Sequence, residues 1–102
     1  MEKYWFVYML RCADGSLYTG VTTDARRRVA EHNGESGGKG ARYTRARRPV
    51  RLVWQEGGHD RRSALQREYA LKQLRKMEKE QLVACYAVLP ESAPPEERGG
   101  RR

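Results

Sequence analysis

The stretch Trp5-Phe6-Val7-Tyr8-Met9-Leu10-Arg11-Cys12-Ala13-Asp14-Gly15-Ser16-Leu17-Tyr18-Thr19-Gly20-Val21 decides the fold. Up to Cys12 it is almost entirely aromatic or aliphatic, with apolar residues at odd and even positions alike, which is the pattern of a strand covered on both faces. Ala13-Asp14-Gly15 is a turn signal and Ser16 to Val21 reads as a second strand, so the two form a hairpin whose first strand is central. The turn length sets which side chains share a face. A three-residue loop with Gly15 in the left-handed region pairs Cys12 with Ser16, Leu10 with Tyr18 and Tyr8 with Gly20, and places both phenols on one face. A two-residue Asp-Gly turn would slip the register by one and part them. The three-residue loop is the expected one.

Working outward, Asp24 can cap a helix that runs to about Asn33, where Gly34 stops it. A loop rich in Gly and Arg follows, with room for a short helical turn, up to Arg48. Val50 to Gln55 predicts a third strand, Asp60 or Ser63 to about Arg75 a second helix, and Lys79 to Tyr86 a shorter one. The expected class is a small α/β domain, a mainly antiparallel three-stranded sheet flanked by helices.

A length of 102 residues fits one domain. Residues 1–88 are expected to fold, and 89–102, rich in Pro, Glu, Gly and Arg, to form a disordered tail. The uncharged run Tyr4 to Leu10 is far below the roughly 18 to 20 residues that cross a bilayer. It also lacks a small-residue cleavage site, so no signal peptide and no membrane partner are expected, and the location is expected to be cytoplasmic. Cys12 and Cys85 show no metal-ligand spacing with His32 and His59, which argues against a zinc module or a disulfide framework. Both thiols are expected to be reduced and partly buried.

The net charge is +8, and it is unevenly placed. Nine basic residues lie from Asp24 to Arg51 against three acids, so this segment alone carries +6. Clustered arginines favour bidentate phosphate contacts, which makes nucleic acid the expected partner. A solvated basic surface that aids solubility is the plainer alternative.

Helical spacing puts Ala25, Arg28, Val29 and His32 on one side of the first helix, with Arg26, Arg27 and Glu31 on the other. In the second helix Ala64, Leu65, Leu71 and Leu74 form an apolar stripe, and Glu68 falls in its middle, where a carboxylate is unexpected. Each has an ordinary explanation: an i,i+4 pair with Lys72 for Glu68, a satisfied helix-end side chain for His32, strand packing for Tyr8 and Tyr18. Together two phenols, an arginine, a histidine and an acid form a candidate phosphodiester site.

These residues resemble the GIY-YIG nucleases. The two short motifs of that family look like Val7-Tyr8-Met9 and Tyr18-Thr19-Gly20, the second with threonine where the family has isoleucine. Its arginine falls on Arg28, its aromatic or histidine on His32, and its glutamate on Glu68 within Arg67-Glu68-Tyr69-Ala70-Leu71. The likeness spans residues 4 to about 86 and is strongest to small bacterial stand-alone members, through Ala13 to Gly20 and Tyr43-Thr44-Arg45. It implies a metal-dependent endonuclease acting on nucleic acid, DNA ahead of RNA, with structure-selective cleavage and a place in DNA repair. Mg²⁺ or Mn²⁺ would be held by Glu68, and Tyr8, Tyr18, Arg28, His32 and Glu68 would be catalytic. Tyr8 would act as general base with His32 accepting its proton, Tyr18 would orient water or phosphate, and Arg28 would hold the non-bridging oxygens. Arg27, Lys39, Arg42, Tyr43, Arg45, Arg47 and Arg48 are the candidate nucleic-acid contacts, with Tyr43 able to stack on an unpaired base. No appended DNA-binding or zinc domain is seen, so specificity is expected from this domain or from a protein partner. The rival readings are a non-catalytic nucleic-acid-binding module on the same scaffold and a protein-binding adaptor.

Overall fold

The computed structural model describes residues 4–35 and 41–87. Strand β1 (Trp5–Arg11) lies between β2 (Leu17–Thr22) and β3 (Arg51–His59) in a three-stranded antiparallel sheet of order β2-β1-β3. The central position of β1 follows from its sequence: Val7, Tyr8, Met9 and Leu10 are all buried, alternately towards the two faces. The hairpin has the three-residue loop. Cys12 donates its N–H to the Ser16 carbonyl, Gly15 has φ +87°, and the register pairs Leu10 with Tyr18 and Tyr8 with Gly20.

Helix α1 (Ala25–His32) covers one face together with the short α2 (Arg42–Arg45). The Asp24 side chain caps α1 by accepting the Arg27 N–H, and Gly34, at φ +83°, ends it. Helices α3 (Arg61–Lys72) and α4 (Lys76–Ala87) cover the other face, where Val7, Met9, Trp54, Ala64, Leu71 and Val83 form the larger core. Full burial of a side chain such as Leu71 contributes about 2 kcal/mol. Asp60 caps α3 through the Ser63 N–H, and Glu56 accepts from both His59 and Arg67, tying the end of β3 to that helix. Arg11 makes a two-pronged bond to Glu80, at 2.6 and 2.7 Å, which fixes α4 against the end of β1.

Four expectations need correction. β3 continues through Gly57 and Gly58 to His59 instead of stopping at Gln55, because the Phe6 ring packs where a Gly57 side chain would stand and Gly58 takes φ +79° at an irregular register. α4 starts at Lys76 and is as long as α3, since Glu78 accepts the Arg75 N–H and caps it early. Leu65 is exposed, because Ala64 and Leu71 set the packed face of α3 and Leu65 is turned about 100° from the first of them. Cys12 is buried but Cys85 is exposed. The expected tail, 89–102, and Lys39 lie outside the described residues. Among the described residues no helix is long and apolar enough to cross a membrane.

Candidate active site

Tyr8 is the centre of the site. Its ring is buried and crosses over its strand partner Gly20, because there is no side chain at Gly20 to prevent it. That crossing carries the hydroxyl towards the β2 edge, on which α3 packs. There Tyr8 Oη lies 2.8 Å from His32 Nε2, with the Arg28 guanidinium near enough to bear on the phenol. Arg28 and His32, one turn apart on α1, bear on the same phenol, as helical spacing requires.

His32 is fully buried, and its other ring nitrogen lies 2.8 Å from Thr44 Oγ1, which in turn donates to the Ala41 carbonyl at 3.0 Å. The short contacts are satisfied together in one direction. Nδ1–H donates to Thr44, and Nε2 accepts from the phenol. With the proton on Nδ1, the Ala41 N–H, 3.4 Å from that nitrogen, has no acceptor there, and the two shorter contacts decide the tautomer. Thr44 is itself fully buried on α2 and is a member of the site that sequence reasoning did not single out. Its only sequence signal was its place within Tyr43-Thr44-Arg45.

Burial pushes the Tyr8 phenol up to about 12; the neighbouring Tyr18 and Glu68 add to the rise, and the Arg28 cation opposes it. Burial pulls the His32 imidazole down to about 4, with the Arg28 and Arg48 cations adding. At neutral pH the proton therefore rests on Tyr8 and the imidazole is neutral. Burial of the Arg28 guanidinium works against its charge, but the bond to Glu31 and the nearby Tyr8 outweigh it and hold the group above its ordinary value. Glu31 anchors Arg28 at 2.8 Å.

Glu68 follows Ala64 by four residues and precedes Leu71 by three, so the packed face of α3 carries it inward. Its side chain is 19% exposed, it pairs with Lys72 at 3.1 Å, and it is near enough to Tyr8 to bear on that phenol. The i,i+4 pair and the approach to the tyrosine thus coexist. Among the described residues no three His, Cys, Asp or Glu side chains form a metal cluster. One carboxylate beside phenolic oxygens suits Mg²⁺ or Mn²⁺, hard ions that keep several waters and complete their shell from substrate phosphate.

Tyr18 shares the Tyr8 face, with ring centroids 6.4 Å apart and its ring edge-on to His32 at 5.1 Å. Tyr43 stacks on Tyr18 at 5.9 Å, and the Arg47 guanidinium lies 3.9 Å over the Tyr43 ring. The basic loop divides accordingly. Arg27 pairs loosely with Glu31, Arg47 holds Asp14 and the Tyr43 carbonyl, and Arg48 bonds the His32 carbonyl at the end of α1. Arg42 and Arg45 are exposed and have no partner among the described residues. Asn33, a second residue not singled out, brackets Val50 with both ends of its amide and so joins α1 to the start of β3.

A description of the GIY-YIG catalytic domain matches residues 4–81. The chain is 60% identical to a UPF0213 protein of Desulfotalea psychrophila over 78% of this chain and 70% of that one. It is 45% identical to a UPF0213 protein of Photorhabdus laumondii over 85% and 81%. The solution NMR structure of a UPF0213 protein from Bacillus halodurans has a TM-score of 0.50 at 47% identity, covering 79% of this chain and 83% of that one. For a second NMR structure, of a protein from E. faecalis, the TM-score is 0.53 at 35% identity, with 87% and 91% covered. The match runs through β1, β2, α1 and α3, the elements that bring Tyr8, Arg28, His32 and Glu68 together, and on it the chain belongs to the GIY-YIG family.

Proposed function

We propose that this protein is an endonuclease that hydrolyses phosphodiester bonds, with DNA as its substrate and Mg²⁺ or Mn²⁺ held by Glu68. The observation that carries the reading is the buried Tyr8 hydroxyl, 2.8 Å from His32 Nε2, with the Arg28 cation and the Glu68 carboxylate near enough to bear on the phenol. A phenol bonded to a neutral imidazole has somewhere to send its proton, and Tyr8 is thereby suited to take one from an attacking water. His32 is the acceptor in that exchange, and its Nδ1–H, held by Thr44, keeps the accepting nitrogen aimed at Tyr8. Arg28 holds the non-bridging oxygens as charge grows on the phosphate. Tyr18 orients the phosphate or water from the neighbouring strand. The ion, when bound, supplies charge stabilisation at the leaving oxygen.

A cleavage panel of flaps, branched junctions, single strands and duplexes, with and without Mg²⁺ or Mn²⁺, tests the reading. The parent chain should cut at least one substrate only with the ion present. Arg28→Ala and Glu68→Gln should each lose about 10²- to 10³-fold in rate while keeping the fold. Equal cleavage by both variants, or none by the parent on any substrate, overturns it.

A further inference from the structure

Tyr43 is exposed, and an exposed aromatic among arginines suits a stacked base. Its ring is nevertheless already engaged within the chain. The Arg47 guanidinium lies 3.9 Å over it, and it stacks on Tyr18 with centroids 5.9 Å apart and planes 23° from parallel. Arg47 is fixed in turn. Its Nε donates to Asp14 Oδ2 at 3.0 Å, its Nη1 donates to the Tyr43 carbonyl at 2.8 Å, and its own carbonyl accepts the Ala13 N–H at 2.9 Å. The other oxygen of Asp14 accepts from the Ser16 N–H and hydroxyl, at 3.0 and 2.6 Å, which anchors the carboxylate in the hairpin turn.

This run of contacts ends at the site. Tyr18 stands on an outer strand of the sheet, with the Tyr8 ring at 6.4 Å, His32 edge-on at 5.1 Å, and Tyr43 around it. Tyr8 and His32 are buried and hold each other. The Tyr18 hydroxyl makes no hydrogen bond among the described residues, so ring packing is what sets its direction. Tyr43 is the exposed member of that packing, and it is the one that Arg47 and Asp14 secure.

We infer that Tyr43 is a positioning residue that aims Tyr18, held in place by Arg47 and Asp14, and is not a platform for a base. One short helix then serves both halves of the site, Tyr43 for Tyr18 and Thr44 for His32. The inference rests on the nuclease reading for what Tyr18 does, and not for the contacts that hold it. A group misplaced by about 1 Å can lose about 10²-fold in rate, so the brace matters to turnover more than to binding.

The test combines single-turnover cleavage in Mg²⁺ of the DNA that the parent cuts, anisotropy of a fluorescein-labelled DNA duplex in EDTA across a range of NaCl concentrations, and urea unfolding, all on the full chain. Tyr43→Leu should slow the cleavage step by about tenfold or more, measured well below its unfolding midpoint. Its affinity for the duplex should stay within about twofold of the parent. Tyr43→Phe keeps the ring and should recover most of the rate. Arg47→Gln should slow cleavage in the same way, with the slope of log affinity against log salt unchanged. In urea the midpoint losses of Tyr43→Leu and Arg47→Gln should not add, because the two side chains share one contact. Weakened binding at parental rate in Tyr43→Leu, a slope lowered by about 0.9 in Arg47→Gln, additive losses in urea, or no recovery in Tyr43→Phe overturns the assignment. A parent that cuts and a Tyr43→Leu that cuts equally well keep the nuclease and lose the positioning role. If the parent cuts no DNA, the nuclease reading falls, and the coupling in urea still decides whether Arg47 secures Tyr43.

Discussion

An ideal Cβ built on Gly20 would stand 2.5 Å from the Tyr8 hydroxyl and 2.7 Å from its Cζ. The glycine of the second motif is thus the space through which the tyrosine of the first reaches His32. Gly20 has no positive φ, so a larger residue is excluded by the tyrosine and not by the backbone.

Gly20→Ala should therefore displace the Tyr8 ring, which is buried and has no open side to move into. Overpacking of this kind costs about 1 to 3 kcal/mol. The checks are the thermal midpoint, which should fall, and cleavage, which should be lost further than the stability change explains. A variant of unchanged stability would show that the ring has room elsewhere.

Thr44→Val keeps the shape of the side chain but leaves His32 Nδ1–H without its acceptor. The expected loss is about 1 to 3 kcal/mol in chemical denaturation, the cost of an unsatisfied buried donor. Thr44→Ser retains the hydroxyl and should recover most of it. In cleavage, Thr44→Val should shift the pH profile and Thr44→Ser should not, which separates positioning of the imidazole from simple packing.

His32 gives the fold a pH dependence of defined sign. Its folded value, about 4, lies below the ordinary value of 6.5. On acidification the unfolded chain takes up its proton first, so stability falls as pH drops below about 6.5 and the loss is complete near the folded value. Between pH 7 and pH 5 this amounts to about 2 kcal/mol. His32→Gln starts less stable and should show a correspondingly flatter dependence over that window in urea titrations. An equal slope in both proteins would place the dependence on other groups.

The arginines of the loop should separate into two sets. Arg42→Gln and Arg45→Gln remove exposed charge that has no partner among the described residues and should each lower the salt slope of duplex binding by about 0.9 per lost phosphate contact, with little change in thermal midpoint. Arg47→Gln breaks the bond to Asp14 and the cover over Tyr43, and should lower the midpoint first. The reverse pattern would mean that Arg47 is free for the strand.

Much of this architecture could be read from residue order. The continuous apolar run of β1, the Asp-Gly turn and the helix signals at Asp24 and Gly34 are local, and each acts through sterics or hydrogen bonds within a few residues. The hairpin register followed from turn length alone, and with it the shared face of Tyr8 and Tyr18. Glu68 was conspicuous because a carboxylate broke an apolar stripe.

The remainder belongs to contacts between residues far apart in sequence. Chain order could not show that Thr44 would bond His32, that Asn33 would clasp Val50, or that Arg47 would close on Asp14, 33 positions away. It also gave no reason for Gly57 and Gly58 to continue a strand, which rests on the Phe6 ring lying over the first of them. Local propensity acts over a turn or two, whereas a buried polar atom is satisfied by whatever the packed helices bring within about 3 Å of it. The periodicity of this chain therefore determined its elements and their faces, and the packing of α1, α2 and α3 around one phenol decided which side chains form the site.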